Sequence, residues 1–148
     1  MNETGSAPLP EQDRCDCAVT ADFLATSRCW DGLAAGSAAL AAWLLARQAP
    51  AAGWPAAMLL LALGIERYLA VRLSLDRRLF ERLARAEGLC LATLDAALAA
   101  HFRLPPHKVG RALAPRIAGA RRLYRAHVAA ALALSGLALA ALAGGAWT

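Results

Sequence analysis

Apolar and polar positions fall into long blocks along this chain; they do not alternate every second residue. Residues 128–147 form an uncharged apolar run of 20, entered from Arg125 and His127. At 1.5 Å per residue such a helix is about 30 Å long, the thickness of a bilayer's hydrocarbon core. A second block opens at Trp54-Pro55, where proline suits the first helical turn. It is apolar to Ile65, interrupted by Glu66-Arg67, and resumes at 68–71 before Arg72. A third block, 32–46, is 15 residues long and rich in alanine. Alone it is marginal for spanning, but Trp30 and Trp54 suit the two interfaces and Arg47 can reach one of them.

The pattern predicts an all-α membrane protein with three transmembrane helices and a basic cytoplasmic helical hairpin between the last two. In a two-span variant the Ala-rich block 32–46 is re-entrant or lies outside the bilayer. The short link 47–53 carries Pro50 and Gly53, so the helices it joins are expected to be antiparallel neighbours. The second helix is expected to continue past the membrane to Gly88, because residues 68–87 hold no Gly or Pro. Leu69, Leu73, Phe80 and Leu83 mark its apolar stripe, and Arg77 with Glu81 is an i,i+4 ion pair. That extension is either a projecting stalk or a helix lying along the membrane surface. Residues 89–103 read as an amphipathic helix with Leu91, Leu94, Leu98 and Phe102 on one face, ended by Pro105-Pro106. Pro115 then opens the helix that enters the last span. Four regions follow: an acidic, mostly flexible tail (1–28), a transmembrane hairpin (29–75), a basic cytoplasmic segment (76–125) and a C-terminal span (126–148).

Charge sets the orientation. Residues 1–31 carry six acids against two arginines, whereas residues 72–125 carry twelve basic residues against four acids. The positive-inside rule places 72–125 in the cytoplasm, with Arg72, Arg77, Arg78, Arg121, Arg122 and Arg125 nearest the membrane. With three spans the N-terminus is cytoplasmic; with two, both termini are outside. No secretory leader is expected, because the start is acidic and no apolar run follows within 20 residues. Ala, Leu and Arg dominate and Lys108 stands alone, which suggests a GC-rich bacterial source and hence an inner membrane.

Composition narrows the chemistry. The apolar share is 59% with only 6% aromatic, which excludes a disordered chain, a collagen and a disulfide-dense secreted module. No phosphate-binding glycine loop, H-E-x-x-H or G-x-S-x-G is present. The basic segment lacks interleaved aromatics, so nucleic-acid binding is a poor reading. No cofactor is implied.

Three constellations remain. Glu66 and Arg67 are ionisable residues within a transmembrane block, which is expensive unless they face a partner, a cavity or an ion path. Arg67 projects about 100° from Glu66 and is a poor partner for it. Ser37, Ser135, His127, Tyr68 of another copy or a charge on another subunit are candidates. Alternatively, both residues snorkel near the cytoplasmic interface. Gly32 and Gly36, and the stripe Gly136, Ala140 and Gly144, are small residues at the spacing that lets helices approach closely in lipid. Cys15, Cys17 and Cys29 are weak candidates for a soft metal: C-x-C is not the usual C-x2-C, and incidental thiols are the plainer reading.

The functional expectation is a non-catalytic accessory or scaffold subunit of a membrane complex. Its basic cytoplasmic helices would contact anionic lipid or an acidic partner. One alternative is a homo-oligomeric pore or transporter with Glu66 lining the path. Another is a thiol or metal sensor using the three cysteines.

Overall fold

The computed structural model describes residues 9–48, 53–85, 90–102 and 110–145. They form five helices in an all-α fold: α1 (Glu11–Ala25), α2 (Ser27–Gln48), α3 (Gly53–Arg85), α4 (Leu91–Phe102) and α5 (Leu113–Gly145). The link at 49–52, the expected stop at Gly88 and the Pro105-Pro106 break lie outside the described residues.

Local chemistry accounts for the helix ends. Pro55 sits in the first turn of α3 and Pro115 in the first turn of α5, where no intrahelical N–H bond is lost. Glu11 and Asp13 occupy the first turn of α1, and Arg82 and Arg85 the last turn of α3; each sign suits its end of the helix dipole. Cys90 caps α4: the Thr93 N–H donates to its Sγ at 3.4 Å, and the two side chains share a hydrogen bond of 2.9 Å.

Helix α1 corrects the expectation of a mostly flexible tail over residues 1–28. Cys17, Thr20, Ala21 and Leu24 are buried along one of its faces, and Arg14 Nε donates to the Ala84 carbonyl of α3 at 3.5 Å. This stripe combines small and polar residues, so it leaves little apolar periodicity to read.

The chain divides into two compact units. The first comprises the described residues of Met1–Leu24 and Leu75–Arg121. Its buried side chains include Phe80, Leu83, Leu113 and Ala120. Its strongest polar contact ties α4 to α5: Arg116 Nη2 lies 2.7 Å from each oxygen of buried Asp95. The Gly110 N–H also donates to Asp95 Oδ2 at 2.7 Å. Gly110 adopts φ +75°, a left-handed conformation that only glycine takes without steric cost. Gly110→Ala should therefore destabilise by about 1–2 kcal/mol even though the added methyl would have room. A thermal midpoint equal to the parent's would refute this.

The second unit comprises the described residues of Ala25–Ser74 and Arg122–Thr148. Its core is built on Ala34, Ala131 and Leu134, with Trp30, Ala38, Leu59, Ala62 and Leu63 packed against them. A ladder of side-chain contacts fixes the direction of α2 and α5. Tyr124 OH bonds Thr26 Oγ1 at 3.0 Å and accepts from Trp30 Nε1 at 3.1 Å, and Ser37 Oγ meets Ser135 Oγ at 2.8 Å. Both residue numbers rise together while the separation stays between 94 and 98, so the two helices run parallel.

The outside of this unit is apolar. Leu60, Leu61, Ile65 and Val71 of α3, with Leu132, Leu137, Leu139 and Leu142 of α5, are exposed. Among the described residues one helix segment, Leu113–Ala143, is long and apolar enough to cross a membrane.

Candidate functional site

Three helices of the second unit bring three titratable side chains together. Asp31 lies in the second turn of α2, Glu66 in the middle of α3, and His127 of α5 at the polar edge of the apolar run. Glu66 and His127 are fully buried, whereas the Asp31 side chain is 37% exposed. His127 Nε2 is 3.4 Å from Asp31 Oδ1, and His127 Nδ1 is 3.7 Å from Glu66 Oε1. Each carboxylate thus faces a different edge of one imidazole. Neither ring nitrogen has a hydrogen-bond partner, nor does Asp31 Oδ1.

Arg67 corrects one expectation. Its guanidinium curls back onto its neighbour, with Nε donating to Glu66 Oε2 at 2.5 Å and Nη2 to Oε1 at 3.0 Å. The side chain is long enough to overcome the roughly 100° between adjacent helical positions. It remains 47% exposed, so Glu66 is held from the outside by arginine and faces histidine on the inside. Of the other proposed partners, Ser37 and Ser135 bond each other, and Tyr68 is exposed and accepts from Arg72 Nη1 at 3.4 Å.

Asp31 was not legible as a site residue, since it reads as the last acid of a solvated acidic segment. Its position beside Trp30, at the mouth of an apolar block, was the available signal. Two carboxylates face one arginine, which leaves one negative charge uncompensated in a largely buried group.

A Cβ on Gly32, Gly36 or Gly136 would meet nothing within 4 Å, and Ala140 is exposed. Within the chain these stripes face outward. Close packing falls instead on alanines: Ala34, Ala41, Ala131 and Ala138 are buried. The surroundings of Gly144 lie outside the described side chains.

Asp31, Glu66 and His127 are the only metal-competent group among the described residues. Cys15 and Cys29 are exposed, and Cys17 and Cys90 are buried. Burial, then the charges of Asp13 and Asp16, push the Cys17 thiol up to about 11. It therefore stays a neutral thiol near neutral pH, the wrong form for a metal ligand or nucleophile. The Thr93 hydrogen bonds hold Cys90 below the ordinary thiol value.

The arginines expected to meet lipid or a partner are outward: Arg72, Arg78, Arg121, Arg122 and Arg125 are exposed. Arg77 is half-buried and paired with Glu81 at 2.8 Å. Comparison with family models, curated proteins and solved structures finds nothing that matches the chain.

Proposed function

We propose that this chain is a multi-pass inner-membrane protein that serves as a non-catalytic accessory or scaffold subunit of a membrane complex. The observation that carries the reading is the inverted packing of the second unit. Leucines, isoleucine and valine point outward from α3 and α5, while alanines, Glu66 and His127 are enclosed. Water disfavours such an exterior by about 25 cal/mol per Å² of apolar surface, whereas lipid does not. Ionisable residues kept inside a lipid-facing bundle fit the same environment.

Three spans are favoured over two. Helix α2 runs parallel to α5 and pairs with it from Thr26 to Ser135. If α5 crosses the bilayer, α2 shares its depth and direction, and α3 returns between them in sequence. Asp31, Glu66 and His127 then lie at one level, near the side that the positive-inside rule makes cytoplasmic. The exposed arginines Arg72, Arg122 and Arg125 of the same unit flank that side. They offer anionic headgroups or an acidic protein surface about 1 kcal/mol per well-placed charge.

The pore reading is weaker. Glu66 is enclosed by Asp31, Arg67 and His127 of its own chain and presents nothing to a path shared between copies. The sensor reading is weaker because no group of three metal-competent side chains among the described residues includes a cysteine.

Purification in mild detergent from the native host tests the proposal. A partner present at a fixed ratio to the wild-type chain is expected, and it should be lost when Arg78, Arg121, Arg122 and Arg125 are changed to Gln. A homogeneous homo-oligomer with no partner would overturn the accessory role.

A further inference from the structure

We propose that Asp31, Glu66 and His127 form a binding site for one divalent first-row transition-metal ion, of the class that includes Zn2+ and Co2+. One ligand atom from each residue lies within 4.8 Å of the others, and the three come from three different helices. Such convergence is not a by-product of one helix carrying several acids.

The unsatisfied histidine is the independent observation. His127 is fully buried, yet neither ring nitrogen has a hydrogen-bond partner. Buried polar groups are rarely left so, because each unmade bond forfeits the water it gave up. Each nitrogen lies near a carboxylate oxygen, at 3.4 Å and 3.7 Å. Those gaps are long for N–H···O bonds. The 3.4 Å gap from Nε2 to Asp31 matches the spacing of neighbouring ligands on a tetrahedral ion, where bonds of about 2.0–2.2 Å set two ligands about 3.4 Å apart.

One imidazole nitrogen ligates one ion. The other is then fixed as N–H and donates toward the carboxylate on its own side, the carboxylate–histidine–metal arrangement that orients a ligand ring. A site of one imidazole and carboxylate oxygens, with places left for water, suits borderline divalent ions better than soft thiophilic ones. Charge agrees as well. Two carboxylates and a neutral imidazole balance a divalent ion once Arg67 releases Glu66. Arg67 is half exposed and can swing to solvent or headgroups. It thus acts as a competitor for the ion. Asp31, the partly exposed member, supplies the way in.

The test uses the full-length protein in mild detergent, stripped with chelator and titrated with Co2+ and Zn2+. One equivalent per chain is expected, with a Co2+ visible spectrum lacking thiolate charge-transfer bands. His127→Gln should weaken binding by more than about 100-fold. Of Asp31→Asn and Glu66→Gln, the change on the side of the ligating nitrogen should do the same, and the change at the N–H partner should cost about the 10–100-fold typical of lost second-shell partners. Arg67→Gln should tighten it, and joint replacement of Cys15, Cys17 and Cys29 by Ser should leave it unchanged. Should the His127 variant fail to fold, Asp31→Asn at the half-exposed rim carries the test. The imidazole NMR signals of wild-type His127, which should shift on adding Zn2+, give a second readout. The proposal is overturned if wild type binds no stoichiometric ion, if binding follows the cysteines, or if it survives both Asp31→Asn and Glu66→Gln. His127 signals that respond to pH but not to Zn2+ would overturn it too, showing a proton-binding group only.

Discussion

Asp95→Ala is expected to cost about 3–5 kcal/mol of stability, the usual penalty for removing one partner of a buried ion pair. Asp95 is 1% exposed. Its two oxygens take three bonds of 2.7 Å, two from Arg116 Nη2 and one from the Gly110 N–H. Arg116 has a second anchor, with Nε donating to the Arg111 carbonyl at 3.1 Å, so it cannot simply leave. Truncation to alanine would strand a largely buried guanidinium and an amide in a left-handed turn. A domain's whole stability is roughly 5–15 kcal/mol, so the loss is a large part of what holds α4 to α5. The pair itself is a weaker stabiliser than this loss suggests, because both charges were desolvated to make it. Asp95→Leu combined with Arg116→Met should therefore be less damaging than Asp95→Ala alone. Hydrogen exchange over residues 91–120 and the thermal midpoint read both results. A single variant within about 0.5 kcal/mol of the parent would show that the pair is not part of the fold.

This contact also marks where sequence reading runs out. The long helices were legible because they depend on local signals: Pro55 and Pro115 in first turns, and a run from 68 to 85 without Gly or Pro. The stripe through Leu73, Phe80 and Leu83 is buried as its spacing implies. The Asp95–Arg116 pair spans 21 residues across a proline-containing segment, and nothing in local spacing selects that arginine from its neighbours. Helix α1 was missed for a related reason: its buried face is Cys17, Thr20, Ala21 and Leu24, too small and polar to register as an apolar stripe. At the candidate site, Glu66 was legible because a carboxylate in an apolar run is anomalous on its own. His127 was legible as a boundary residue and one of several possible partners. Asp31 was hidden among other acids, and only the parallel register of α2 and α5 brings it to His127. The glycine stripes face outward within the chain, with room for a Cβ at Gly32, Gly36 and Gly136. In an alanine-rich chain small residues recur at every spacing, so the pattern could not say which face packs.

Leu61→Arg and Leu139→Arg are each expected to oppose membrane insertion by about 3–4 kcal/mol. An arginine at a helix centre costs roughly 2.5–3.5 kcal/mol on the insertion scale, and the leucine's favourable contribution of about 0.6 is lost with it. Both leucines are 60% exposed, so neither change removes core packing, and each sits near the middle of its apolar block. In water the same substitutions would be close to neutral, within about 0.5 kcal/mol, because surface changes away from buried contacts rarely matter more. The two environments therefore predict opposite outcomes from identical burial. Val19→Arg on α1 is the internal control: Val19 is equally exposed but lies outside every proposed span. The measurement is the fraction of each variant that resists alkaline extraction from membranes. Leu61→Arg with Leu139→Arg should shift the chain to the extractable or degraded pool, while Val19→Arg should leave it in the membrane. If all three variants behave like the parent, the outward leucines face water or another protein. If Leu139→Arg alone fails, α5 crosses and α3 does not. Because α2 meets α5 as deep as Ser135, that outcome would also show that the packing of α2 and α3 on α5 is not kept in the membrane.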